Sequence, residues 1–226
     1  MPGTSFTSTP SFWQITFCTT VPIKLRLLRP ATFRFALAEA DLQAEIVRLT
    51  DWYTEELFAL LASVATSVIF PYSRFFVDVE RYRDDAEEPM SARGMGAVYT
   101  ATTHGTSLRT ALAASARERL VATYYDPHHE ALTQAVNSAL EYRSRCLIID
   151  AHSFPSHPLP CDRDQSEPRP HFCIGTDRLH TPHELVKLTA SGLQDHGWTL
   201  KVDAPYAGTI VPSTTTVVTL ALQSYL

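Results

Sequence analysis

The run Leu147-Ile148-Ile149-Asp150-Ala151-His152-Ser153-Phe154-Pro155 constrains this chain more than any other stretch. Apolar residues without alternation fit a strand buried on both faces, as in a parallel sheet. The run then breaks into an acid, a histidine and a proline. The ends of such strands are where α/β folds place ligand chemistry. Asp-x-His there suits a metal site, because a carboxylate beside an imidazole fixes its tautomer and orientation. The plainer reading of the pair is a strand-end Asp and His that cap the next turn.

The rest of the chain limits what surrounds that strand. A length of 226 residues gives one α/β domain with a full core. The net charge is −5 with no basic stripe, which argues against nucleic acid as a partner. Cys18, Cys146, Cys161 and Cys173 form no Cys-x-x-Cys pair, so no disulfide framework is expected and a reducing cytoplasm is the default. No apolar run is long enough to span a membrane. Residues 1–36 form an atypical N-terminal segment with no clear period, a basic cluster of Lys24, Arg26, Arg29 and Arg34, and little to order it. Residues 37–226 read as one α/β domain.

Within that domain, Leu42, Ile46, Leu49, Tyr53, Leu57 and Leu60 or Leu61 make an apolar stripe, predicting one helix over Ala38–Val64. A strand over Thr66–Phe70 follows. Ser73–Gly96 is a polar loop too long for mere connection, which marks it as lining a site. Ala97–Thr102 is a candidate strand. Asp126-Pro127 opens a helix to about Tyr142, with Asp as N-cap and His128-His129 on its surface. After the strand Cys146–Ile149 comes a loop, Ser153–Pro170, with five prolines. Phe172–Ile174 is a short apolar piece. Thr181-Pro182-His183-Glu184 has the form of a capping box with Pro at the first turn, opening a helix that ends near His196-Gly197. Trp198–Val202 is a last strand. Alternating strands and helices imply crossovers and a mostly parallel sheet.

Four further places could carry chemistry. Arg74 and Arg81 flank an apolar core, and Arg gives a planar two-point grip on carboxylates. Asp78 or Glu80 could hold them in place, although an edge strand with solvated charges reads the same way. His180 precedes a helix start, where a lone His is more often packed or solvent-facing. Asp51 falls off the apolar stripe, the position of a solvated acid. Tyr206, in Pro205-Tyr206-Ala207-Gly208, sits in a turn that could close over a ligand.

Taken in order, six pieces resemble the N-formylglutamate amidohydrolase family. They are Thr50-Asp51-Trp52-Tyr53-Thr54-Glu55-Glu56-Leu57, Ser73-Arg74 to Arg81, Asp150-Ala151-His152-Ser153-Phe154-Pro155, Cys173-Ile174-Gly175-Thr176-Asp177, His180-Thr181-Pro182 and Pro205-Tyr206-Ala207-Gly208. They cover the chain from Leu37 to Pro212. The Asp-x-His-Ser and Val77-to-Arg81 pieces are also similar to zinc carboxypeptidases. The resemblance implies a three-layer α/β fold of the zinc-carboxypeptidase and phosphorylase/hydrolase-like kind, with a mostly parallel or mixed sheet flanked by helices. It implies a cytoplasmic, zinc-assisted hydrolase of histidine catabolism, acting on an acyl amino acid such as N-formyl-glutamate. On this resemblance His152 is a zinc ligand, Asp51 a carboxylate ligand and Asp150 the group behind them. Arg74 and Arg81 hold the substrate carboxylate, and His180 and Tyr206 border the pocket.

The chain departs from the family pattern at both ends. The family has a metal-ligating His in a Pro-His-Ser type motif near its N-terminus, whereas here no His precedes His104. The family's C-terminal strand bears a Glu base, whereas here no acid follows Asp203. Codon degeneracy allows Cys18-Thr19-Thr20-Val21-Pro22 to hide His-His-Ser-Ser in a shifted frame, and Pro212–Leu226 to hide Phe-Asp-Asp-Tyr-Gly-Arg-Asp-Pro-Arg-Val. Frameshifts at both ends are therefore expected in the coding DNA. A site short of a ligand and a base predicts impaired activity, with loss of the first strand and exposure of its neighbour's edge. The alternative is a catalytically inactive family member that binds a small carboxylate through Arg74 and Arg81.

Overall fold

The β-branched and aliphatic runs of this chain assemble into a six-stranded sheet of order β2-β1-β3-β6-β4-β5. The structure, a computed structural model, describes residues 35–61, 64–212 and 217–225 and the backbone of 14–20. The strands are β1 (Gln14–Thr20), β2 (Ala65–Phe70), β3 (Cys146–Phe154), β4 (Phe172–Gly175), β5 (Leu200–Val202) and β6 (Val217–Tyr225). β2, β1, β3 and β6 run parallel, while β4 and β5 run the other way, with β4 antiparallel to β6. The sheet is mixed and mostly parallel. The loss of the first strand expected from the sequence is not what the structure shows. The backbone of Gln14–Thr20 pairs with β2 on one side and β3 on the other. The basic cluster Lys24 to Arg34 lies outside the described residues.

Helices cover both faces. α4 (Asp126–Arg143) lays Leu132, Val136 and Ala139 on Cys146, Ile148, Val217 and Val68. On the opposite face Phe58 of α2 (Thr54–Phe58) packs with Ala151, beside Ile149 and Leu222. Alternation along a strand explains the split, because Ile148, Asp150 and His152 share the face that α4 covers only in part. Past Ile148 the strand runs on beyond the helix, and that bare end of the sheet is where the site lies. β3 is longer than the sequence indicated, so Asp150 and His152 belong to the strand itself rather than to the turn after it.

Three helix expectations need correction. The single helix over Ala38–Val64 is two pieces, α1 (Glu39–Arg48) and α2. Leu42, Ile46 and Leu49 of the stripe are buried with Phe75, Met90 and Tyr99, whereas Tyr53, Leu57 and Leu60 stay exposed. Between the pieces Tyr53 takes a left-handed φ of 58°, a costly conformation for a bulky residue. Local hydrogen bonds hold the break: the Thr54 hydroxyl donates to the Asp51 carbonyl, and the Ser153 hydroxyl to the Trp52 carbonyl. Asp126 does not cap α4. The helix continues from α3 (Ala114–Leu120) through a π-turn at Val121–Tyr125, and the Asp126 carboxylate instead accepts from Arg83. The Thr181 hydroxyl donates to the Thr219 carbonyl, so α5 (His183–Asp195) begins without a side-chain cap.

Other segments differ in burial. Ala97–Thr102 forms no strand, only a bridge from Ala101 to Ser107, although Ala97, Val98 and Tyr99 are buried. His128 is buried edge-on against Phe70, and His129 donates from Nε2 to the Val79 carbonyl, so neither is simply helix surface. Cys146, Cys161 and Cys173 are buried free thiols, and among the described residues no helix is long and apolar enough to cross a membrane.

Candidate metal centre and its cleft

His152 is the centre of the site. Its Nδ1 lies 2.8 Å from Asp51 Oδ2, its Nε2 3.0 Å from Asp150 Oδ1 and 3.8 Å from Glu80 Oε2. Three separate segments deliver these groups. β3 carries Asp150 and His152. The break between α1 and α2 turns Asp51 inward, to 9% exposure. The 73–81 loop brings Glu80, because Val77 and Val79 bury into the core with Phe70 and Val121 while the intervening acids face the cleft.

The carboxylates differ in how well they are satisfied. Asp51 is engaged at both oxygens, since Oδ1 accepts from Arg74 Nη2 at 3.1 Å. Asp150 Oδ2 accepts the Ile210 N–H at 3.1 Å, but its Oδ1 and Glu80 Oε1 are buried without a hydrogen-bond partner. One ligand atom each from Glu80, Asp150 and His152 lie within 4.8 Å of one another. Unpaired buried oxygens normally cost free energy, so two of them on carboxylates gathered beside an imidazole fit a divalent cation. One nitrogen and two oxygens is a donor set that zinc accepts, with a coordination position left for water or substrate.

Electrostatics agree with that geometry. Burial, then the neighbouring Asp150, pushes the Glu80 carboxyl up to about 8. Burial opposes charge on His152, but Asp150, Asp51 and Glu80 outweigh it and hold the imidazole well above its ordinary range. Asp150 and Glu80 thus crowd like charges beside one imidazole.

The arginines frame the same cleft, whose volume is about 1200 Å³. Arg74 is tied to Asp51. Arg81 Nε stands 3.4 Å from Asp78 Oδ2, and Nη1 3.8 Å from Glu88 Oε1. The Tyr99 hydroxyl donates to Asp78 at 2.5 Å. Burial works against ionised Asp78, yet Arg74 and Arg81 hold its carboxyl below the usual range. This segment is irregular and buried, not a solvated edge strand. On the far wall the Tyr206 hydroxyl donates to Asp162 at 3.0 Å, and Arg169 bridges Tyr206 and Asp162 at 2.9 and 2.6 Å. His180 is held by Asp177 at 2.7 Å. Asp177 lines the cleft, but among the described residues His180 is not one that does.

A family model for N-formylglutamate amidohydrolase matches residues 28–221. The chain belongs to that family. A curated relative, an N-formylglutamate deformylase of Pseudomonas putida, is 33% identical over 113 residues, 48% of this chain. That match spans 42% of the relative's length, less than half of it. Among solved structures, an N-formylglutamate amidohydrolase from Ralstonia eutropha superposes with a TM-score of 0.76 at 21% identity, covering 96% of this chain and 84% of that one. A gene product from Agrobacterium tumefaciens gives 0.66 at 15% identity, covering 94% and 81%. These two likenesses bear on the fold.

Asp51 holds the Nδ1 side of His152, and Asp150 stands on the Nε2 side with Glu80. Asp51, Asp150, His152, Arg74, Arg81 and Tyr206 do share one cleft. Glu80 as a cation-facing group, and Gln223, escaped sequence reasoning. The one signal for Glu80 was an acid alternating with Val77 and Val79 in a segment that otherwise reads as core.

Proposed function

We propose that this chain is a metal-dependent amidohydrolase, with zinc as its ion, that cleaves the amide of an N-acylated amino acid such as N-formyl-glutamate, and that turnover is impaired in this chain. The observation that carries the reading is the convergence of Glu80, Asp150 and His152, with two unpartnered carboxylate oxygens, on the floor of a cleft framed by arginines. Bound there, zinc would polarise the acyl carbonyl and acidify a water. Asp51 accepts from Nδ1 and so presents Nε2 of His152 to the site. The Ile210 N–H turns Asp150 so that Oδ1 faces the same point. Arg74 and Arg81 give the substrate carboxylate a cationic wall, and Tyr206 borders the pocket from the opposite side.

Impairment follows from what the ligand set consumes. Glu80 and Asp150 face the ion, and the C-terminal strand, where the family pattern carries its Glu base, bears no acid after Asp203. The same deficit favours the second reading, a catalytically inactive relative that binds a small carboxylate through Arg74 and Arg81. The test is release of formate from N-formyl-glutamate by the zinc-supplemented protein. Slow hydrolysis that a chelator stops and zinc restores is expected. Binding without turnover favours the second reading, and absence of binding contradicts both.

A further inference from the structure

We propose that Gln223 is a substrate-binding residue whose side-chain N–H donates to the acyl oxygen of the ligand's amide; this rests on the amidohydrolase reading above. β3 and β6 pair in parallel with His152 opposite Gln223, and β4 sets Cys173 on the other side of Gln223. Paired residues of neighbouring strands point to the same face, so Gln223 stands on the face of Asp150 and His152. It is 8% exposed, and what remains open of it lines the cleft.

Asp150 is held by Ile210, His152 by Asp51, and Tyr206 by Asp162 and Arg169. Among the described residues, the Gln223 carboxamide has no hydrogen-bond partner. The carboxamide is not among the fully buried polar atoms left without a partner, so it opens onto the cleft, where a ligand can meet it. The chemistry of the group limits what that is. It is neutral, offers two N–H donors and one acceptor, and does not titrate near neutrality. It therefore cannot replace a missing base. It can meet a neutral polar group such as an acyl carbonyl, and donors aimed at that oxygen strengthen as charge develops on it. A site that hydrogen-bonds one ligand group discriminates strongly against analogues lacking that group.

The test crosses one variant with two ligands. Gln223→Met keeps the unbranched shape and removes the donor, and Gln223→Leu serves as a second apolar replacement if the first fails to fold. Affinity for N-formyl-glutamate and for glutamate, which lacks the acyl oxygen, is measured by calorimetry on the full chain supplied with zinc, alongside thermal melting. Gln223→Met is expected to melt no lower than the parent, to bind N-formyl-glutamate about tenfold more weakly and to bind glutamate within about twofold of the parent. Unchanged affinity for N-formyl-glutamate overturns the role of Gln223 and leaves the amidohydrolase reading standing. Equal losses for both ligands, or a lower melting point, make Gln223 structural and overturn the role as well. A parent protein that binds no N-formyl-glutamate removes the amidohydrolase reading itself, and this role with it.

Discussion

Asp51 and His152 are 101 positions apart, yet their 2.8 Å contact decides which nitrogen the imidazole presents to the cleft. Asp51→Asn keeps the shape but weakens the hold on the Nδ1 proton. Zinc affinity is expected to fall about 10- to 100-fold, read by competition with a chelating dye. His128 gives a separate test away from the site. Burial, then its neighbour His129, pushes it from 6.5 down to about 4, so the fold favours the neutral ring. Its contribution is therefore complete above about pH 6.5 and is lost as the pH falls toward about 4, up to ~3 kcal/mol in all. His128→Phe is expected to flatten that loss, measured as the drop in urea midpoint between about pH 7.5 and 4.5; an equal drop in both proteins contradicts it. Asp150 and His152 could be found in the sequence because they are neighbours on one strand. Glu80 and Gln223 could not, because only the loop's path and the β3–β6 register bring them there.

The elements show where local pattern misleads. The apolar stripe of 38–64 reads as one helix because its spacing is regular, but the left-handed turn at Tyr53 ends that register and aims Asp51 inward. The same break explains why Leu57 and Leu60 are exposed. On the opposite wall Gly175 lets the 203–212 loop lie on the sheet, since a Cβ there would collide with the Gly208 carbonyl. That loop supplies the Ile210 N–H to Asp150. Gly175→Ala is expected to destabilise by ~1–3 kcal/mol in chemical denaturation and to weaken zinc binding as well, through the displaced loop. Loss of stability with zinc affinity unchanged would mean that the loop does not orient Asp150. The Arg169 side chain is 1% exposed and joins the Pro-rich loop to Tyr206. Arg169→Met leaves Asp162 buried without its cation, and a loss of ~3–5 kcal/mol is expected in the same measurement.

At the scale of the whole molecule, a mostly parallel sheet with helices on both faces was legible from the alternation of apolar runs and helical periods. The direction of β4 and β5 was not, because four- and three-residue strands carry no signal of orientation. The place of β1 between β2 and β3 was hidden for a different reason: Gln14–Thr20 mixes polar and apolar residues, and its pairing depends on partners 50 or more positions away. The fold leaves the far end of one sheet face uncovered by α4, and every group of the proposed centre converges on it. The direct test of that centre is a zinc titration of the full chain beside His152→Ala and Glu80→Gln. About one zinc per parent chain is expected, with no saturable site in His152→Ala and at least tenfold weaker binding in Glu80→Gln. A parent chain that binds no zinc, or one whose binding survives both substitutions unchanged, would contradict it.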